Sequence, residues 1–342
     1  MATRAHTHYF CPMTSRPHPR AGCARDLRVW MLLACCLVVV PVWAGEGGRE
    51  HLQRMAEATR SLSYEGTFVY SQGERAETMR VTHGMVDGES RERVTALSGA
   101  ALELIRHGDQ IVCLLPDSKR ALIGYQPRGL LPGTLADDLD GVPEGYGTRK
   151  VGTSRVAGRE AREVRVEPED DFRYGLRLWL DRDHDLLLRS DLVTREGEVL
   201  ERVLFTELEV VDEVDPGRFD FQLDGYERVE GVMPASASDM ASSHEPRMQP
   251  ELPAGFELIA LDRSGDADTG REHAVYSDGL ASVSLFVDAE KGAVREFPAV
   301  AGTDVLRMRS ERVGDHRVTL IGAVPAATLE YMIDSLLDDA DS

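Results

Sequence analysis

The chain has 342 residues, and 59 Asp and Glu against 39 Lys and Arg set its formal net charge at −20. A field of that sign repels phosphate backbones and anionic lipid surfaces, so nucleic acid is a poor partner. Of its 5 cysteines, Cys11, Cys23, Cys35 and Cys36 precede the apolar run's end at Val42, and Cys113 lies in QIVCLLP, where a structural thiol is the expectation.

The N-terminus is basic and irregular up to Arg28, and VWMLLACCLVVVPV follows from Val29 to Val42. That run has the length of a signal-peptide core and is too short to span a bilayer. Val42 and Ala44 around Trp43 approximate a small-residue cleavage site, so residues 1–44 read as a signal peptide. Loss of its five Arg and one Asp would take the charge from −20 to about −24.

Leu52, Met55, Ala56 and Leu62 recur near helical spacing and predict an amphipathic helix over 50–62. The period then changes to two: SYEGTFVYSQG alternates Tyr64, Gly66, Phe68 and Tyr70 with Glu65, Thr67 and Val69. Further strands are expected at 77–82, 91–96, 101–106, 110–115 and 119–124. Residues 126–147 interrupt the rhythm with Pro127, Pro132 and Pro143, as a surface flap or a cover over a cavity. Strands resume at 148–151, 160–167, 174–181, 186–194 and 199–211. The expected product is a curled antiparallel sheet of about ten strands.

Three aspartates, Asp181, Asp183 and Asp185, stand on alternate residues in LRLWLDRDHDLLLRSDL. A calcium loop that begins this way needs Gly at its sixth position and Glu at its twelfth, where this chain has Leu186 and Leu192. The alternative is a hairpin tip, with Asp185 as the left-handed turn residue.

The composition shifts at 229–253, which includes GVMPASASDMASSHEPRMQPELP and reads as a linker. Strands return at 256–262, 273–277, 281–288, 305–310 and 316–321. Pro325 then opens a helix that aligns Leu329, Met332, Ile333 and Leu336. The organisation is therefore a signal peptide at 1–44, a large domain at 45–228, a linker at 229–253 and a smaller sheet-and-helix domain at 254–342.

The sequence carries no nucleophile elbow, no paired-histidine helix, no phosphate loop and no C-x-x-C, and His51, His83, His107, His184, His244, His273 and His316 are scattered. No catalytic residue, metal ligand or cofactor is assigned. Acidic runs such as Glu169 to Asp171 and Asp338 to Asp339 read as solvated faces. A hydrolase built on a carboxylate pair stays open as an alternative, because such pairs leave no local signature. Phe68, Tyr70, Leu178 and Trp179 have two readings, core packing or the lining of an apolar groove.

Five stretches, in order, are similar to the RseB/MucB family of periplasmic regulators of an envelope-stress sigma factor. They are SYEGTFVYSQGERAETMRVTH, RERVTALSGAALELIRHGDQIVCLLPD, VAGREAREVRVEPEDDFRYGLRLWLDRDHDLLLRSDL, HAVYSDGLASVSLFVD and VTLIGAVPAATLEYMIDSL. The resemblance runs from about Leu52 to Leu337. It implies an α+β, mainly antiparallel fold: a large half-barrel domain like the carriers LolA and LolB, plus a smaller sheet-and-helix domain. It also implies a non-enzymatic periplasmic protein without cofactor, which binds the periplasmic domain of a membrane anti-sigma factor and shields it from regulated proteolysis. Lipopolysaccharide or a lipoprotein-like amphiphile would release that partner, and a homo-oligomer is compatible with the reading. A lipid or lipoprotein carrier is the alternative. For partner contact the expected segment is the hairpin VYSDGLASVSLF, with Val275, Tyr276, Ser277, Asp278, Gly279 and Phe286 around an exposed turn of type I′ or a similar tight form. A purely structural hairpin is an equal reading.

Overall fold

One helix followed by period-two alternation is what the chain forms in the computed structural model, which describes residues 46–108, 110–125, 142–230, 246–264, 270–289 and 305–340. The signal-peptide boundary, most of the 126–147 excursion and the centre of the linker lie outside the described residues.

Helix α1, Glu46–Ser61, buries Leu52, Met55 and Ala58 and turns Arg49, Glu50 and Glu57 outward. The next strands are β1 Ser63–Gln72, β2 Arg75–Val86, β3 Glu89–Ala96, β4 Glu103–His107, β5 Gln110–Leu115 and β6 Arg120–Tyr125. After the excursion come β7 Tyr146–Val156, β8 Arg159–Pro168, β9 Gly175–Asp181, β10 Leu187–Val193, β11 Val199–Val211 and the short β12 Glu227–Glu230. All twelve form one sheet in the order β12-β6-β5-β4-β3-β2-β1-β11-β10-β9-β8-β7. The chain thus starts mid-sheet, meanders out to β6, crosses to the opposite edge at β7 and meanders back to close beside β1. That crossing explains why a long excursion must separate β6 from β7.

The expected meander is antiparallel at every pairing but one: β12 returns to the far edge and pairs parallel with β6. It was not expected, because the four residues ERVE carry no apolar alternation. Residues between β11 and β12 include a 3₁₀ turn at Pro216–Phe219, and Phe219, Phe221, Leu223 and Tyr226 cover one face of the β2–β6 half.

The second sheet has β13 Glu257–Ser264, β14 Arg271–Ser277, β15 Ser282–Ala289, β16 Arg307–Val313 and β17 His316–Gly322, in the order β13-β14-β15-β17-β16. Helix α2, Ala326–Ala340, lays the predicted stripe Leu329, Met332, Ile333 and Leu336 on Ala274, Tyr276, Val283, Leu285, Val318 and Leu320. Full burial of a Leu, Ile or Met side chain is worth roughly 1.5–3 kcal/mol, so this stripe suffices to hold the helix to the sheet.

Candidate functional site: an apolar wall and the junction of two sheets

The aspartate hairpin resolves as turn chemistry. Asp185 has φ 56°, the left-handed conformation that Asp tolerates better than most residues. Its carboxylate receives Arg54 Nε at 3.0 Å and Arg162 Nη1 at 2.7 Å. Asp181, buried, is held by Arg159 through two hydrogen bonds of 3.0 and 3.1 Å, and by His184. Burial works to raise the Asp181 carboxyl, but Arg159 and His184 outweigh it and keep it below the usual range. The arginines occupy the oxygens that a cation would need.

Register separates the four proposed groove residues. Leu178 lies opposite Ser190, Ser190 opposite Val203 and Val203 opposite Tyr70, so Leu178, Tyr70 and Phe68 share the face that carries α1. Trp179 lies opposite Arg189, Arg189 opposite Leu204 and Leu204 opposite Val69, which puts it on the reverse face. Successive residues of a strand point to opposite sides, so Leu178 and Trp179 cannot line one groove. Phe68 and Leu178 are 1% and 0% exposed, whereas Tyr70 is half-buried.

On the helix-bearing face one apolar row crosses six strands: Gly66, Val81, Val94, Leu104, Cys113 and Leu122. Val81 and Val94 are buried, while Leu104, Cys113 and Leu122 are half-exposed. This half-exposed end is an apolar wall. Gly66 is required there, since a Cβ would fall 2.8 Å from the Phe205 ring. The Cys113 thiol is pushed up by burial and sits in the wall as a small apolar group. Beside that row lies a buried polar one. Tyr64 stacks on His83 at 4.9 Å, His83 contacts Leu62 O at 2.7 Å and Ser90 Oγ at 2.8 Å, and Arg106 Nε stands 3.4 Å from Glu92. A carbonyl only accepts, so Nδ1 of His83 carries the proton and Nε2 accepts from Ser90. At the opposite end of β1, Tyr70 bonds Glu201, whose carboxyl is raised by burial.

The two sheets meet on one arginine. Arg173 Nη1 donates to Glu144 O at 2.8 Å and to Asp278 Oδ2 at 3.0 Å, Nη2 to Ala254 O at 2.6 Å, and Nε to Asp170 Oδ1 at 3.1 Å. Its guanidinium lies 5.1 Å from the Tyr146 ring and 5.3 Å from that of Phe256. The Arg173 and Asp278 side chains are both 0% exposed. Gly145, at φ 85°, makes room for the guanidinium, because a Cβ there would lie 2.5 Å from Nη1. Burial, then the neighbouring Asp278 carboxylate, pushes the Tyr146 hydroxyl well above its usual range. Around this centre Thr328 Oγ1 donates to Phe172 O at 2.6 Å, Arg307 Nε to Tyr174 at 3.2 Å, and the Phe172 and Tyr331 rings lie 5.1 Å apart.

The expected exposed turn therefore has a different form and place. Ser277 pairs with Ser282, which leaves a four-residue loop from Asp278 to Ala281 in place of a two-residue type I′ turn. Asp278 Oδ1 accepts Leu280 N at 2.9 Å and Ala281 N at 2.7 Å, which aims Oδ2 at Arg173. Val275, Tyr276, Ser277 and Phe286 are buried, and Gly279, at φ 95°, is half-buried. Tyr276 shares the α2 face, and its hydroxyl is pushed up to about 12 by burial and then by Glu272. Phe286 stacks on His273 at 4.2 Å. Leu280, at the loop tip, packs on the cluster that holds Leu52, Met55 and Leu178. A solvated reading of Glu169 to Asp171 missed Asp170; the local signal was an arginine set between aromatics in FRYG.

An open sheet with an apolar wall, fastened through a buried ionic centre to a smaller sheet with one helix, is the architecture of a two-domain binding protein. The MucB/RseB N-terminal domain model matches residues 48–223 and the MucB/RseB C-terminal domain model matches 243–337, and the chain belongs to this family. It is 33% identical to the sigma factor AlgU regulatory protein MucB of Pseudomonas aeruginosa, over 91% of this chain and 97% of that one. Identity to the sigma-E factor regulatory protein RseB of Haemophilus influenzae is 27%, over 84% and 90%. Among solved structures, MucB in complex with MucA(peri) matches with a TM-score of 0.60 at 30% identity, covering 83% of this chain and 96% of that one.

Proposed function

We propose that this protein is a periplasmic regulator that binds the periplasmic domain of a membrane anti-sigma factor and shields it from the first regulatory protease. The observation that carries the reading is the likeness to MucB in its complex with MucA(peri), at 30% identity over nearly the whole of that chain. The wall around Leu104, Cys113 and Leu122 supplies an apolar surface for an amphiphile that releases the partner. A continuous packed route joins the helix-bearing face to the second sheet through Leu280. Release requires the amphiphile to favour the arrangement that binds the partner less well. Because Asp278 and its neighbours are buried, a partner that touches them must open the junction first.

Mixing the protein with the anti-sigma factor's periplasmic domain should yield a complex that resists the site-one protease, and an acyl amphiphile should restore cleavage. Unchanged cleavage in the mixture would sink the proposal. The half-exposed wall also favours a carrier as the second reading. A chain ending after Glu230, which keeps β12, would then extract acyl ligands as well as the full protein does, and loss of extraction speaks against a carrier.

A further inference from the structure

The reverse face of β7–β11 carries a charge pattern opposite in sign to the chain as a whole. The register aligns Arg149, Arg165, Arg177, Asp191 and Arg202 directly across five consecutive strands. The next row adds Glu163, Trp179 and Arg189. Glu167 reaches Arg149 from the other side. Five guanidiniums thus meet three carboxylates in a protein whose formal charge is −20.

The carboxylates are unevenly shared. Asp191, 0% exposed, is clamped by Arg189, with Nε at 2.9 Å, and by Arg202, with Nε at 2.7 Å and Nη2 at 2.9 Å. Arg189 also lies 4.0 Å from the Trp179 ring centre, so that end of the row is closed. Glu163 holds Arg165 at 2.9 Å, and Glu167 holds Arg149 at 2.6 Å. Arg177, half-buried at the centre of the row, has the Gly197 carbonyl at 3.4 Å and, among the described residues, no carboxylate in salt-bridge reach.

We propose that this row is a docking surface for an extended acidic polypeptide segment, with Arg177 as its open cationic position and Arg165 and Arg149 beside it. Adjacent strands hold these three side chains about 4.8 Å apart, and an extended segment presents same-face carboxylates about 6.8 Å apart, within reach of three flexible guanidinium forks. Charge complementarity selects a short segment over a bilayer. Fields decay over about 8 Å at physiological salt, so a short peptide meets the local patch whereas a membrane plane meets the acidic molecule around it. The inference goes beyond the regulator reading and does not depend on which protein supplies the segment.

The test is fluorescence anisotropy of a dye-labelled Glu-Thr repeat peptide titrated with the protein, beside the same peptide with Gln for Glu. The Glu peptide should bind about tenfold or more tightly than the Gln peptide, with an affinity that falls as salt rises. Arg177→Gln should weaken binding about tenfold, Arg177→Lys less, and Arg218→Gln on another part of the surface not at all. If Arg177→Gln melts early, Arg149→Gln at the exposed edge gives the reading in its place, with a smaller loss expected. Equal binding of both peptides, or binding indifferent to Arg177 and Arg149, overturns the proposal. Arg177-dependent capture of phosphatidylglycerol vesicles in preference to the peptide also overturns it, and assigns the face to lipid phosphate.

Discussion

Arg173 ties its own segment to Glu144, Ala254 and Asp278, three separate parts of the chain. Truncating one member of a fully buried ion pair leaves the other charge uncompensated, a loss of roughly 3–5 kcal/mol. Arg173→Met should lower the unfolding free energy read from a urea titration by an amount in that range, and Arg173→Met with Asp278→Leu should recover part of it. Equal loss in the single and double variants would refute a buried-charge account. His83 offers a second test. Burial lowers its pKa below 6.5, against the Glu92 charge and alongside that of Arg106. The unfolded chain therefore binds a proton that the folded one refuses, so stability is full above about 6.5 and is lost as pH falls toward the lower folded value. His51, also lowered by burial, acts in the same direction. Between about pH 7.5 and 5.5 the urea midpoint should drop, and it should drop less in His83→Asn; an identical drop in both would rule out the His83 contribution. Asp185 was legible in the sequence because a left-handed position leaves a local trace. Arg173 was not, because its partners Glu144, Asp170, Ala254 and Asp278 are scattered along the chain.

Among the elements, the β9–β10 hairpin and α2 were the most legible, since each states its period and its turn residue locally. Asp185→Ala should cost about 1–2 kcal/mol through the left-handed backbone alone, before loss of Arg54 and Arg162. Asp183→Ala, at an exposed tip, should stay within about 0.5 kcal/mol, and thermal melts of the two variants check the contrast. Similar melting temperatures would remove the turn role of Asp185. The β14–β15 hairpin was legible as a hairpin but not as a buried one. YSDG signals a tight connection whether its tip meets water or a guanidinium, and only the second sheet's docking decides between them. Strand β12 left no trace because a parallel edge strand of four residues with Val229 as its lone apolar member is defined by its neighbour β6 alone. The faces of Phe68, Tyr70, Leu178 and Trp179 were readable only by carrying parity through β10 and β11, which needs the register.

At the scale of the molecule, the alternation of apolar residues announced two sheets, while the long excursion read as a flap or a cover falls where the chain passes between distant edges of the first. How the sheets are fastened was hidden, since Arg173 and Asp278 stand about 105 residues apart in sequence. A buried ionic centre makes the two sheets cooperate in unfolding. Differential scanning calorimetry should give one transition for the native protein and two for Arg173→Met. Two transitions in the native protein would show that the junction does not couple them. The pairing of β12 with β6 limits how far the sheets can part once that junction opens. It anchors the connector at Glu230, and the backbone of Arg247 is already bound to Glu272 in the second sheet. The covalent tether between these two anchors is then about 16 residues, with a maximum reach near 55 Å. A tether that short keeps the separated halves at high effective concentration, so a severed junction recloses unless a bound ligand props it apart.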